Sequence, residues 1–300
     1  MTKQLIRLDP SSLALWGCPR KFEFTNIHGY VSKLGSAPLD FGQALHRAIA
    51  AWSRDRLFNA LEDEQKYIDI ALEYYGPRLC IKSHPRDLSN LRAALHDYFS
   101  SWSRADDFTP LVNDRGEAAI EMPFAFDNFY EDDTITVTLC GVIDAIGTMG
   151  STSLRVFKDI KHTSSENVKA YLDAYANSQQ FQFYSYALKR IGWTDYYPPC
   201  IVDGVFISRK FQGAKCVRSN ILDMQDFLVE RTVQRIQDVC FEISRMVKRG
   251  GPFTHDFTQC DGKYRKCDFD PVCHIQGQFQ QMGLNTAFTK RVYDPATFGD

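Results

Sequence analysis

Three residues in the middle of the chain, Asp144, Asp159 and Lys161, have the types and spacing needed to hold a cation beside a fixed ammonium. Asp159 and Lys161 flank Ile160 near the end of an apolar segment. Side chains alternate along a strand, so these two fall on one face, roughly 6–7 Å apart along the backbone. A carboxylate and an ammonium on one covered face are costly without a task. Asp144 follows Gly141-Val142-Ile143 near the end of the preceding strand, and it meets Asp159 if the two strands form a hairpin. Two carboxylates suit a hard, oxygen-seeking ion such as Mg²⁺ or Mn²⁺. Such an ion activates water and neutralises charge gathering on a phosphodiester. Lys161 can then orient the water or stabilise the pentavalent transition state. Taken alone, the D-x-K triplet reads first as strand-end acids with a salt-bridging lysine.

The surrounding elements must deliver these residues. Asp9-Pro10-Ser11-Ser12 reads as a capped helix start that carries Leu13 and Trp16 toward Cys18-Pro19. Phe41 to His46 enters a longer helix with Leu45, Ile49 and Trp52 on its apolar face. Helical segments over 62–75 and 88–103 make the first hundred residues mainly helical. The period then changes to two. Ile120, Met122, Phe124 and Phe126 share one strand face, which sets Glu121 opposite as a solvated or supporting acid. Strands over 134–146 and 154–161 follow, then a helix over 177–191 and a strand over 201–208. A long helix carries Val229, Val233, Ile236, Cys240, Ile243 and Val247 to a stop at Gly250-Gly251-Pro252. This order predicts an α/β fold with a mixed sheet, flanking helices and terminal additions.

Gly141-Val142-Ile143-Asp144, then Asp159-Ile160-Lys161, then Gln180 to Tyr184 with Ala187-Leu188 resemble the RecB-like branch of the PD-(D/E)XK nucleases. The resemblance implies a restriction-endonuclease-like core: a central mixed sheet flanked by helices, with a helical N-terminal part and a Cys-containing C-terminal tail. It implies a single nuclease domain over 1–300, divided at 116 and 210 into a mainly helical part, catalytic strands and helix, and a C-terminal helix with a metal-binding tail. Phe41-Gly42-Gln43-Ala44-Leu45-His46 is similar to the family's G-x-x-x-H helix. By that resemblance His46, Asp144, Asp159 and the Ile160 carbonyl bind Mg²⁺ or Mn²⁺, Lys161 assists the attacking water, and Gln180 and Tyr184 position it or the DNA. Gln182 and Tyr186 share the same four-residue spacing, and Ala187-Leu188 favours the Gln180–Tyr184 register.

Four cysteines stand apart from the other five. Cys18-Pro19-Arg20-Lys21-Phe22 resembles the N-terminal cysteine segment of the iron–sulfur members of that branch, such as the AddB subunit and a CRISPR-associated exonuclease. Their tails carry C-x₂-C-x₅-C. Here Cys267 and Cys273 keep the last spacing, while six residues instead of two separate Cys260 from Cys267. The resemblance implies a [4Fe–4S] cluster on Cys18, Cys260, Cys267 and Cys273 that ties the two segments together; four thiolates equally suit Zn²⁺. His274 is a spare candidate ligand. Cys80, Cys140, Cys200, Cys216 and Cys240 read as free thiols.

Composition bounds the rest. A 44% hydrophobic and 24% charged chain of 300 residues is an ordinary globular one. No apolar run reaches the ~18–20 residues of a membrane span, and Met1 to Arg7 lacks a secretory core, so a cytoplasmic setting is expected. A net charge of −2 excludes a uniformly basic coat but not a local phosphate track. Arg209, Lys210, Lys215 and Arg218 form one basic group. Arg245, Lys248, Arg249, Lys263, Arg265 and Lys266 form another. The expected activity is an exonuclease on single-stranded or free-ended DNA. Unwinding would come from a partner, and a helicase, recombinase or integrase fits that place. A catalytically silent DNA-binding or assembly subunit and a zinc-stabilised interaction protein remain the competing readings.

Overall fold

A computed structural model of the chain describes residues 3–58, 63–78, 86–103, 106–150, 154–261 and 266–291. Cys80, Lys263 and Arg265 lie outside them. The chain begins with strand β1 (Gln4–Leu8), helix α1 (Pro10–Leu15), α2 (Pro19–Phe22) and β2 (Tyr30–Ser32). Three long helices follow: α3 (Ala37–Phe58), α4 (Glu64–Tyr75) and α5 (Leu88–Trp102). Strands β3 (Phe108–Pro110), β4 (Ile120–Glu131), β5 (Ile135–Met149) and β6 (Arg155–Thr163) come next. Helices α6 (Val168–Asp173) and α7 (Gln179–Arg190) lead to β7 (Cys200–Ile207) and β8 (Ala214–Arg218). Helix α8 (Asp226–Arg249), α9 (Asp270–Cys273), α10 (Gly277–Ala287) and β9 (Phe288–Lys290) close the described chain. Among the described residues, no helix is long and apolar enough to cross a membrane.

Local chemistry explains several boundaries. Asp9 caps α1 through a reciprocal pair with Ser12, each accepting from the other's backbone N–H at 2.8 Å. Asp87 accepts the Asn90 N–H at 2.7 Å and starts α5. Helix α8 ends where Gly250 and Gly251 take φ of 65° and 83°. The expected helical start is interrupted by β1 and β2. In β1, Ile6 and Leu8 are buried while Leu5 is exposed, a short period-two signal outweighed by the helical segments after it.

Two compact units divide the chain. The first comprises residues 1–34, 123–141 and 231–300, and the second residues 35–122 and 142–230. In the first, β1 runs parallel to the start of β5, with Ile6 opposite Val137, and β2 pairs antiparallel with β9. Phe24, Tyr30, Phe269, Val272, Leu284 and Phe288 form a small core there, with Cys267 and Cys273 packed against it. The N-terminal and C-terminal segments are stitched together. The Arg20 N–H donates to the Thr254 carbonyl at 3.0 Å, and the Phe253 N–H donates to the Glu23 carboxylate at 2.9 Å.

The second unit holds a mixed sheet. β3 and β6 are antiparallel to the end of β5, β7 runs parallel to β6, and β8 is antiparallel to β7. Helices cover both faces, because alternate residues of β6 and β7 are apolar on each side. Ile160, Val205 and Ile207 face a core built with Leu45, Trp52, Tyr67, Leu95 and Phe99 of α3, α4 and α5. On the other face Phe157 meets Phe181 and Tyr184 of α7, and Phe206 meets Tyr171 of α6. This is the α/β arrangement, with a mixed sheet flanked by helices, that the sequence predicts.

Within the basic group at β8, Arg218 is taken up by the fold and leaves the phosphate track. Arg218 is nearly enclosed, its guanidinium bonded to Asp203 at 2.6 Å and to Asp106 at 2.7 Å. Asp203 also accepts from Tyr98 at 3.0 Å and lies 3.5 Å from buried Lys158. A buried charge so closely paired belongs to the fold, and it is not available to a ligand. Lys210 faces Glu166 at 3.4 Å, and Arg209 donates to Ser164 at 2.9 Å.

Candidate metal and catalytic site

The ladder between β5 and β6 pairs Ala145 with Lys158 and continues toward the far ends of both strands. At Asp144 a side chain takes over: its Oδ2 accepts the Ile160 N–H at 2.6 Å. Asp144 and Asp159 therefore converge, as a hairpin requires. From α3, the His46 ring reaches across and sets Nε2 3.0 Å from the Ile160 carbonyl oxygen. His46 Nδ1 lies 3.4 Å from Asp144 and 3.9 Å from Glu121. His46, Glu121 and Asp144 thus present three potential ligand atoms within 4.8 Å of one another.

Lys161 Nζ sits 2.6 Å from Asp159 Oδ2. Gln180, on the first turn of α7, donates to Asp159 Oδ1 at 3.3 Å and to the Tyr184 hydroxyl at 3.2 Å. Gln182 is buried. Of the two possible helical registers, Gln180 with Tyr184 is the one that faces Asp159. His46, Asp144, Asp159, Ile160, Lys161, Gln180 and Tyr184 are all brought together.

Of the two readings of Glu121, the solvated one fails and the supporting acid stands. Period-two alternation sets it opposite Ile120 and Met122, facing solvent. In the structure Glu121 takes φ of 52°, which breaks the alternation: Ile120 is buried, Met122 only half-buried, and the Glu121 carboxylate turns to His46. A non-glycine residue with positive φ is strained, and such strain gathers at functional sites. No local sequence signal announces that φ. Tyr171 and Tyr175, whose hydroxyls bond at 2.8 Å, also went unnoticed; Tyr171 acts electrostatically on Lys161 and Tyr175 stacks on Phe181.

The electrostatics are those of crowded, half-neutralised acids. Burial pushes the Glu121 carboxyl up to about 7, helped by Asp144 and opposed by His46. Burial also pushes Asp159 up to about 6, with Asp144 adding to the rise and Lys161 opposing it. Burial acts against ionised Asp144 too, but His46, Lys161 and the Ile160 N–H outweigh it and hold that carboxyl below its ordinary value. For His46, burial favours the neutral ring, yet the surrounding carboxylates raise it to about 9. Lys161 stays raised, since Asp159 and Asp144 overcome its burial. The protein here is an acid cluster that uses His46 and Lys161 as counterions.

These donors fit a divalent ion. Cis ligands of an octahedral ion bound at about 2.1 Å lie about 3 Å apart, and His46 Nδ1 stands 3.4 Å from Asp144 Oδ1 and 3.9 Å from Glu121 Oε1. One imidazole, carboxylates and a carbonyl suit Mg²⁺ or Mn²⁺ better than a thiophilic ion.

The first unit gathers cysteines. Cys18 is buried at the start of α2; Cys260, Cys267 and Cys273 are half-buried, and none of the described cysteines is in a disulfide. The Cys267 N–H donates to the Cys260 carbonyl at 2.8 Å, which folds the six-residue gap back on itself. Burial, then Cys267, Cys18 and Cys260, push the Cys273 thiol up to about 12. Burial, Cys267, Asp270 and Cys18 raise Cys260. Cys260 and Cys273 are thereby held as neutral thiols, and with Cys18 and Cys267 they are a candidate donor set for a cation. His274, the spare candidate ligand, donates from Nε2 to Asp270 Oδ1 at 3.0 Å and joins Cys260 and Asp270 in a second group of ligand atoms within 4.8 Å.

No curated protein matches this chain. Among solved structures it is similar to the crystal structure of SSO0001, with 16% identity over 68% of this chain and 75% of that one. The TM-score of 0.29 leaves that likeness without weight for the fold. The family model of the PD-(D/E)XK nuclease superfamily, by contrast, matches residues 10–274, from the first residue of α1 to just past Cys273. Its span takes in both clusters, and the chain belongs to the PD-(D/E)XK nuclease superfamily, whose members are nucleases that use divalent metals.

Proposed function

We propose that this protein is a Mg²⁺- or Mn²⁺-dependent deoxyribonuclease that works from free or single-stranded DNA ends. The observation that carries the reading is the convergence of His46, Asp144, Asp159 and the Ile160 carbonyl next to Lys161. His46, Glu121, Asp144, Asp159 and the Ile160 carbonyl would hold the ion. When bound, the cation supplies a Lewis acid for the phosphodiester and neutralises the charge that builds on it. Asp144 and His46 hold the Ile160 peptide from its two sides, so the carbonyl is aimed before any ligand arrives. Lys161 keeps its proton beside Asp159 and can donate to an attacking water or a phosphoryl oxygen. Gln180, bonded to Asp159 and to the Tyr184 hydroxyl, would with Tyr184 position the attacking water or the DNA. End-directed action draws on the resemblance of Cys18 and the tail cysteines to the iron–sulfur RecB-like branch.

At the second centre Cys18, Cys260, Cys267 and Cys273 would hold a [4Fe–4S] cluster that joins segments already bonded through Arg20 and Glu23. One observation favours a different reading: the Cys260, Asp270 and His274 group offers sulfur, oxygen and nitrogen donors of the kind Zn²⁺ accepts. Labelled single- and double-stranded DNA, incubated with Mn²⁺ and wild-type, Asp159→Ala or Lys161→Ala protein, tests the enzyme reading. Cleavage lost in both variants supports it; no cleavage by the wild type makes the chain a silent subunit.

A further inference from the structure

Beside Asp159 and Lys161, two tyrosines hold a hydrogen-bond donor that the reading of the site has not used. In the β6–β7 ladder Lys161 pairs with Gly204, and Thr163 pairs with Phe206. Paired residues of neighbouring strands send their side chains to the same side of the sheet. A Cβ on Gly204 would meet Phe206 Cε2 at 2.6 Å and Leu172 Cδ2 at 3.1 Å. The bare glycine therefore lets α6 lie close over the rung that carries Lys161. Tyr171, next to Leu172, packs edge-on against Phe206 with ring centroids 5.5 Å apart.

Further contacts fix where the Tyr171 hydroxyl stands. Tyr175, in the 3₁₀ turn Ala174–Asn177, donates to Tyr171 Oη at 2.8 Å and meets its ring edge-on at 5.3 Å. Tyr175 also stacks on Phe181 at 5.2 Å, and the Lys161 ammonium lies 5.8 Å from the centroid of that same ring. Phe181 adjoins Gln180, which bonds Asp159. Tyr171 is within electrostatic reach of Lys161, and Tyr175 within reach of Asp159. Both tyrosines thus border the Asp159–Lys161 pair.

The direction of the bond between them leaves one proton over. Tyr175 gives its proton to Tyr171 Oη, so the Tyr171 proton points elsewhere, and among the described residues it meets no acceptor. Burial first, then this bond, push the Tyr175 hydroxyl far above its ordinary value, which keeps it a donor. Tyr171 is half-buried, so a ligand can reach it. A hydroxyl donor beside a fixed ammonium selects an anionic oxygen. A phosphodiester has two non-bridging oxygens, and Lys161 and Tyr171 can each hold one.

We propose that Tyr171 is a further catalytic residue, donating a hydrogen bond to a non-bridging oxygen of the scissile phosphodiester as charge builds there, and that Tyr175 is the positioning residue that holds it. The Tyr171 hydroxyl keeps its proton throughout and makes or breaks no covalent bond. The proposal rests on the nuclease reading of the Asp159–Lys161 site.

Steady-state cleavage of a single-stranded oligonucleotide tests it, with a phosphate or either phosphorothioate diastereomer at the cleaved linkage. Tyr171→Phe leaves the ring in place and is expected to lower kcat about tenfold or more, with KM within about twofold. Tyr175→Phe is expected to lower kcat by less. The double variant should be no slower than Tyr171→Phe alone, because Tyr175 acts through Tyr171. Sulfur is a weak acceptor, so the loss from Tyr171→Phe should shrink to about twofold or less on one diastereomer, the one whose sulfur takes the contacted position. A folding defect would slow all three substrates alike, which separates it from a lost contact. Tyr171→Phe within about twofold of wild type, losses that multiply in the double variant, or one equal loss on all three substrates would overturn the proposal while the wild type still cleaves. No cleavage by the wild type would remove the nuclease reading, and this proposal with it.

Discussion

The Ile160 N–H donates to Asp144 Oδ2 at 2.6 Å at the point where the β5–β6 ladder gives way. A side chain has replaced a backbone acceptor, and the freed peptide turns its carbonyl to His46. Asp144→Asn keeps an acceptor for that N–H and loses the charge. Asp144→Ala removes both, leaving a donor unsatisfied at a cost of about 1–3 kcal/mol. Metal-free thermal melting is expected to place Asp144→Ala below Asp144→Asn, while both lose cleavage alike. Equal melting would show that Asp144 does not hold the Ile160 peptide.

Glu121 combines strain with charge. Glu121→Gly relieves its positive φ and removes an acid from the cluster, so the metal-free protein is expected to gain about 1 kcal/mol. Activity at limiting Mn²⁺ should fall in the same variant. A loss of stability would show that the carboxylate is a structural partner of His46 and not a strained ligand.

The pH dependence has a definite sign. Glu121, Asp159 and His46 are all raised in the folded state, to about 7, 6 and 9. The stability each contributes is fully present below its unfolded value and is lost as pH rises through the folded one. The metal-free protein should lose stability from these groups as pH climbs from about 5 to 9. A divalent ion competes with the same protons, so its affinity should rise over that window and binding should release protons. Calorimetric titration of Mn²⁺ in two buffers of different ionisation enthalpy measures the release. Glu121→Gln should diminish it, and an unchanged release would remove Glu121 from the ligand set.

The tail separates its two metals by His274. A cluster on Cys18, Cys260, Cys267 and Cys273 predicts brown protein with acid-labile sulfide after anaerobic purification, lost in Cys18→Ser and kept in His274→Ala. Colourless protein whose zinc content falls in His274→Ala, but not in Cys18→Ser, would assign the site to Cys260, Asp270 and His274.

Much of this was legible in the sequence, and the physical reason is locality. The cap at Asp9, the stop at Gly250, and the placement of Asp159 and Lys161 on one strand face depend on residues a few positions apart. The Gln180–Tyr184 pair is likewise one helical turn. What depends on distant partners was not legible. The φ of Glu121, the pairing of β1 with β5, and the capture of Arg218 by Asp203 and Asp106 are decided by tertiary contacts, and no spacing reports them. Arg218 looked available for phosphate only because its acids lie more than ten positions away in the chain.

Among all these tests, the cleavage assay weighs most directly on the central claim. Wild-type protein with Mn²⁺ is expected to degrade labelled single-stranded DNA, with Asp159→Ala and Lys161→Ala each reduced about a hundredfold or more, the loss typical of removing a preorganised electrostatic group. Wild-type protein that is inactive with both Mg²⁺ and Mn²⁺, or cleavage that persists unchanged in Asp159→Ala, would contradict it.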